Sequence, residues 1–340
     1  MLESVHYIYT NSTSDAALTT TTTTTTPTMT HSTQTKSLDT ELMMHWCNST
    51  YRTVSTDPNV QRLWQTTIPR EAMHHQFLRH GLLAVSALDR ARSVGPGRSC
   101  DEHLRVAQMH HTHAMTGLTA ARKTNPQTQS QSNAIFVVSC TTILYEMAYP
   151  LNRSNSSRVS PSDDSTLSDL CSVIEQSREA IAIMGSVLDE IRDGDLHLLT
   201  RKDDALPKMP DTSRLVMLSL RRLNGSLAGS GRDHETAVYE ATMEHLGSAL
   251  ERLAGGSEPG VIALRWMQSI PARFIELVRT RRPFALVLLA HFAVVLHSLR
   301  VHWWMGDWGM RVLEAIGHSL DPEWRPYLCW VVDATGWHIA

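Results

Sequence analysis

LRWMQSIPARFIELVRTRRPFALVLLAHFAVVLHSLRVHWWMGDWGMRVLEAIGHSLDPEWRPYLCWVVD, residues Leu264–Asp333, decides the fold. Pro271 and Pro283 stand where proline is tolerated, at a first helical position, so PARFIELVRT and PFALVLLAHFAVVLHSLRV read as consecutive helices. Asp307 and Asp321 can accept hydrogen bonds from orphan amides and are expected to cap the two helices that follow. From Phe284 to Leu296 the second helix is apolar nearly all round, interrupted by His291. A helix without a polar face is buried on every side, so the others must wrap it. Its apolar run is shorter than the ~18–20 residues of a bilayer span, and His291 and His297 break it, so no membrane span is expected there.

Outward from that rod, WWMGDWG (Trp303–Gly309) forms the next turn. Gly306 can take positive φ, which would fold the turn tightly and bring three indoles together. Such a cluster is either plain core or the wall of a pocket for a flat apolar ligand. The candidate wall is Phe284, Leu288, His291, Phe292, Trp303, Trp304 and Trp308, with Gly306 and Gly309 as its mobile turn.

Upstream, the helical period repeats. Phe77, Leu78, Leu82, Val85 and Leu88 recur at three- and four-residue steps, as do Leu104, Ala107, His111, Met115 and Leu118. Ser99 and Glu102 form an expected capping box before the second set. Asn133–Tyr149 reads as a mostly buried helix, and Leu170, Ile174, Ile181, Met184, Leu188 and Ile191 keep the same period in one helix over Leu167–Ile191. Asp211 caps a helix through Leu223. Tyr239, Met243, Leu246, Leu250 and Leu253 form another, ended by Gly255 and Gly256. No stretch sustains period-two alternation. The expected fold is all-α, an irregular multi-helix bundle of ten or so helices around a buried C-terminal helix.

Residues 1–37 form a Ser/Thr-rich arm, with threonine unbroken from Thr19 to Thr26, and are expected to be disordered. The ordered domain is expected over 38–340, opening with Asp39 capping a helix through ELMMHWCNSTYRTVS. Flexible inserts are expected near 124–132 and 152–166, and NGSLAGSGRD reads as a glycine-rich loop.

Composition narrows the chemistry. With 340 residues and a net charge of −3, the chain carries no global basic signature for nucleic acid. Cys47, Cys100, Cys140, Cys171 and Cys329 lie far apart, with no CxxC pair, which points to reduced thiols rather than a zinc cluster. His110, His111 and His113 are expected on different helical faces, since a step of two turns the direction by ~200°. No carboxylate accompanies them at HExxH spacing, so the reading is structural, with no metal and no cofactor. No GxSxG elbow and no GxxxxGK[ST] loop is present, and no catalytic residue is assigned. Asp189, Glu190 and Asp193 give DExxD at an expected helix C-terminus, which could hold Mg²⁺. The second acidic set that such chemistry needs is not matched by Asp233–Glu240, and the macrodipole disfavours acids there. Arg279, Arg281 and Arg282 are too short a basic run for a DNA-binding arm and resemble a nuclear address only weakly.

Two segments resemble a known family. ELMMHWCNSTYRTVS with VQRLWQTTIPREAMHHQFLRHGLLAVSALDRAR is similar to the opening of the regulatory domain of fungal zinc-cluster transcription factors. RRPFALVLLAHFAVVLHSLRVHWWMGDWGMRVLEAIGHSLDPEWRPYLCW is similar to its end, closest to sterol-uptake control regulators. The resemblance implies an all-helical, non-enzymatic regulatory domain in the nucleus, in some members sterol-binding. Implied partners are a sterol or other apolar small molecule and a protein: a second copy, or a full-length zinc-cluster factor. The family's six-cysteine cluster has no counterpart before Leu38, so DNA would be reached only indirectly. The alternatives are an all-α Mg²⁺-dependent isoprenoid enzyme and a ligand-free interaction scaffold.

Overall fold

The structure is a computed structural model, and it describes residues 31–123, 128–156, 163–200, 208–229 and 234–338. Most of the threonine-rich arm, residues 124–127 and 157–162 of the two expected inserts, and the end of the glycine-rich loop lie outside the described residues. The chain divides into Met1–Leu38 and Asp39–Ala340. The described part of the first unit is helical.

In chain order the helices are α1 (His31–Asn48), α2 (Pro58–Arg62), α3 (Ile68–His74), α4 (Gln76–Val94), α5 (Arg98–Ala121), α6 (Gln129–Ser156), α7 (Asp163–Gly185) and α8 (Leu188–Arg192). They continue with α9 (Asp211–Ala228), α10 (Thr236–Ala254), α11 (Pro259–Ser269), α12 (Ala272–Arg279), α13 (Pro283–Ser298), α14 (Trp308–Ser319) and α15 (Cys329–Thr335). Short 3-10 segments at Thr50–Thr53, His197–Thr200 and Pro322–Leu328, and a π turn at Leu63–Thr67, join them. No strand occurs among the described residues, so the protein is all-α.

α4, α5 and α6 pack on one another, and α7 carries the packing from α6 to the C-terminal helices. There α13 is the rod: α10, α11, α12, α14, α15 and the Pro322–Leu328 segment all lie against it. Every residue from Phe284 to Ala293 is buried. Its neighbours are aromatic. Trp266 stacks on Phe292 at 3.6 Å, Tyr239 meets Phe284 edge-on at 4.9 Å, and Trp330 stacks over His291 at 5.7 Å. Burying one such side chain contributes roughly 1.5–3 kcal/mol, so the rod organises this half of the fold. Among the described residues one helix, Gln129–Ser154, is long and apolar enough to cross a membrane by length and composition, but 78% of its apolar window is buried inside the protein, as a core helix would be.

Several local expectations need correction. α1 begins at His31, so Asp39 lies inside the helix instead of capping it. The helix stops at Asn48, where a 3-10 turn takes over. Gly97, at φ 143°, holds the cap position of α5, and Ser99 and Glu102 form no capping box. The buried stripe of α5 runs through Leu104, Ala107, His110, Ala114 and Leu118, which leaves His111 and Met115 at its edge. Leu167–Ile191 breaks after Gly185 into two helices, and α9 runs on past Leu223 to Ala228. Pro271 occupies the cap position of α12, while Pro283 does open α13. Asp307 and Asp321 stand at cap positions, yet neither side chain caps. Asp307 instead accepts from Arg311 Nε at 2.9 Å, a full turn on.

Candidate functional site

The turn between α13 and α14 is built from main-chain bonds. His302 N–H donates to Leu299 O, and the Met305 and Gly306 amides both donate to His302 O. Gly306 takes φ 47°, as expected, and a Cβ there would sit 3.2 Å from Leu151 Cδ1. The left-handed conformation and the close approach together call for glycine.

The indoles leave this turn in different directions. Trp303 Nε1 donates to Thr53 Oγ1 at 2.7 Å, and Trp304 Nε1 to Thr53 O at 3.3 Å. Trp308 is buried and its Nε1 donates to Met147 O at 2.8 Å. Among the described residues no ring contact joins the three; Trp304 stacks on His302, and the Arg92 guanidinium lies 5.7 Å over Trp303. The expected gathering of three indoles is therefore replaced by a clamp. All three N–H groups reach acceptors at residues 53 and 147, about 160 to 250 positions earlier in the chain.

A buried carboxylate supports the receiving end of the clamp. Asp89, 2% exposed, accepts from His45 Nε2 at 2.9 Å, Thr50 Oγ1 at 3.0 Å and Arg92 Nη2 at 3.1 Å. Burial opposes ionisation of Asp89, but the bonds from His45, Arg92 and Thr50 outweigh it and hold the carboxyl below its ordinary range. Thr50 O in turn accepts from Thr53 Oγ1 at 2.6 Å, the same oxygen that receives Trp303. One hydrogen-bonded chain thus runs from His45 through Asp89, Thr50 and Thr53 to Trp303.

Of the other expected wall residues, Phe284, Leu288, His291 and Phe292 share a stripe of α13, and protein side chains cover it. His291 is wholly buried and donates from Nδ1 to Val287 O at 2.8 Å. Burial lowers its pKa to about 4, so the ring is neutral near pH 7. At Gly309, α14 lies close against α13: a Cβ there would stand 2.7 Å from His297 N. A surface cleft of about 390 Å³ lies elsewhere, between α9 and α10, beside Met209, Arg214, Met217, Leu218, Arg221 and Glu244. None of the candidate wall residues borders it.

The charged motifs are tied into the fold. Asp189 and Glu190 occupy the first turn of the separate short helix α8, not a helix C-terminus, and Asp189 accepts from Arg192. In the second acidic stretch, Glu235 pairs with Arg273 and Glu240 with Arg221. Arg279 donates to Glu175 and Glu276, and Arg281, at φ 55°, donates to Ser319 Oγ. All five cysteines are free thiols.

Sequence spacing missed one cluster. His110 and His113, three residues apart, share a side of α5, and His80 of α4 meets them. The missing signal was His80, which no motif connects to residues thirty positions later.

Residues 41–149 match the family described as fungal specific transcription factor domain. The match runs from within α1 to within α6, and it contains both acceptor residues of the tryptophan clamp. A "Zn(2)-C6 fungal-type transcription factor" of Gibberella zeae is 22% identical over 321 residues, covering 87% of this chain and 61% of that protein. The chain thus spans about 61% of the length of the curated relative it matches. Together these similarities point to transcription regulation.

Proposed function

We propose that the chain is a helical regulatory domain of transcription that acts in the nucleus through protein partners, a second copy of itself or a full-length zinc-cluster factor. The observation that carries this reading is the match of residues 41–149 to the fungal specific transcription factor domain. The net charge of −3 and the arginine pairs of α9 and α12 favour a role apart from reading DNA directly. The working element is the clamp: when Trp303, Trp304 and Trp308 hold Thr53 and Met147, the rod-centred helices and the matched segment share one arrangement. A partner or ligand that binds better with the clamp open shifts that balance in proportion to its differential affinity.

An apolar ligand, such as a sterol, is the finer version of this proposal. Its support is the apolar stripe Phe284, Leu288 and Phe292 of the rod. Because Trp266 and Tyr239 already cover that stripe, such a ligand must displace a helix or the turn to enter. Unchanged tryptophan fluorescence and melting temperature on adding sterol would sink the sterol version alone.

The regulatory reading is tested by fusing the chain to a heterologous DNA-binding module in a fungal reporter strain and following the location of a fluorescent fusion. A nuclear fusion that raises or lowers reporter output, with the output altered by Trp303→Phe, is the expected result. A fusion that stays out of the nucleus, or leaves output unchanged, refutes it.

A further inference from the structure

His80, His110 and His113 bring three ring nitrogens together, all within 4.8 Å of one another. His80 comes from α4; the other two come from α5. His80 Nδ1 and His110 Nδ1 stand 2.8 Å apart, and the His113 ring centroid is 5.0 Å from that of His80. His110 is 1% exposed. Its second nitrogen, Nε2, is buried, makes no hydrogen bond, and faces Asp39 Oδ1 at 3.4 Å. Asp39 Oδ1 is likewise buried without a hydrogen bond. Buried polar atoms are normally satisfied, so two facing orphans require an explanation.

We propose that His80, His110 and His113 bind a divalent transition-metal ion of the Zn²⁺ class, with Asp39 as the carboxylate behind His110. Imidazole nitrogens suit this group of metals, and three of them leave a fourth position for water. A histidine that ligates through one ring nitrogen characteristically donates the other N–H to a carboxylate, which fixes tautomer and orientation. Metal ligation through Nδ1 would place the His110 proton on Nε2, pointed at Asp39 Oδ1, and both orphans would be answered by one bond.

The spacings agree with this. Nitrogens around a tetrahedral Zn²⁺ at about 2.0–2.1 Å stand roughly 3.3 Å apart. The 2.8 Å pair and the 4.8 Å outer limit bracket that value. His113 is exposed, so it lies on the side from which an ion enters and has the space to close in. A hydrogen-bonded imidazole pair alone accounts for His80 and His110 but not for the third ring. The ion would pin α4 to α5 inside the segment that matches the transcription factor family, and through Asp39, just before that segment, to α1. It owes nothing to the cysteine chemistry of a zinc cluster.

The test uses the full chain without a histidine tag, stripped by a chelator and titrated with Co²⁺ and then Zn²⁺, followed by visible absorption and calorimetry. One equivalent of Co²⁺ with a tetrahedral spectrum, displaced by Zn²⁺, is expected. His113→Gln and His80→Gln should each weaken Zn²⁺ affinity by more than about 100-fold, and Asp39→Asn by about 10–100-fold. His113 is exposed, so its variant should keep the metal-free melting temperature of the wild type. His111→Gln, whose ring pairs with Glu146, should bind normally. The proposal is overturned if the wild type takes up no stoichiometric Zn²⁺, if His113→Gln binds as tightly as wild type, or if binding is lost with His111.

Discussion

Gly309→Ala isolates the contact on which the rod and the tryptophan turn depend. Gly309 is the second residue of α14, and an added Cβ would lie 2.7 Å from His297 N, 2.8 Å from its Cα and 2.9 Å from its Cβ. These are mostly main-chain atoms of α13, so no rotamer change can remove the clash. Restoring an ordinary contact of 3.4 Å means moving the helices apart by about 0.7 Å. A gap of 0.5–1 Å already forfeits a quarter to a half of each dispersion well along the seam. Overpacking of this kind costs about 1–3 kcal/mol, while alanine in place of glycine returns roughly 0.5–1 kcal/mol of helix propensity. The net expectation is a loss of about 1–2 kcal/mol, a fall in Tm of roughly 2–3 °C at the unfolding entropy of a domain this large. The assay is urea and thermal unfolding beside Gly225→Ala. Gly225 is an exposed helical glycine whose added Cβ meets nothing within 4 Å, so that variant should gain about 0.4–1 kcal/mol. If Gly309→Ala is as stable as the wild type, the close approach of α13 and α14 is wrong.

Trp308→Phe keeps an aromatic ring but removes the buried donor to Met147 O; a loss of about 2–3 kcal/mol in chemical denaturation is expected, and no loss would mean the bond contributes nothing. His291 is held neutral by burial, with a folded pKa of about 4 below the unfolded 6.5. Above pH 6.5 it contributes no pH dependence; as pH falls from 6.5 to about 4 the unfolded state takes up the proton first, and stability drops with a limiting slope of ~1.4 kcal/mol per pH unit. His291→Leu should flatten the profile over that window in pH-dependent unfolding, and an unchanged slope would show that His291 is protonated in the folded protein. Cys329 is exposed, whereas Cys171 is buried with its thiol pushed up to about 12 by desolvation. A thiol reagent under native conditions should therefore modify Cys329 rapidly and Cys171 only on unfolding, with mass spectrometry locating the adducts.

The helices were largely legible because their signals are local. An all-round apolar run such as Phe284–Leu296 admits only a buried helix, and the three- and four-residue steps of Leu78, Leu82, Val85 and Leu88 fix which face goes inward. Caps were read less well. Asp39, Ser99, Asp307 and Asp321 have the right chemistry, but Asp39 faces a buried imidazole, Gly97 takes the cap of α5, and Asp307 has an arginine within reach. For Asp39 and Asp307, the approach to another side chain takes the place of capping. The α5 stripe was misread by one position for a related reason. His111 and Met115 fit the period as well as His110 and Ala114, and only the neighbouring helices decide between them.

The clamp belongs to a different class of invisibility. Trp303, Trp304 and Trp308 stood out in the sequence, but the oxygens they seek are main-chain carbonyls at Thr53 and Met147 and one threonine hydroxyl. Every residue carries a carbonyl, so composition and spacing hold no trace of which one will be chosen. Three neighbouring tryptophans therefore suggested a shared apolar surface, when the property in use was three N–H donors on rigid arms. That substitution also changes how the turn would regulate. A pocket wall responds to the size of a ligand, but a clamp responds to anything that weakens three bonds, each contributing about 0.5–1.5 kcal/mol net. Their combined contribution is of the same order as the differential binding that shifts a two-state protein, so on the regulatory reading we propose, a partner touching Thr53 or the Asp89 network would act on the distant rod without contacting it.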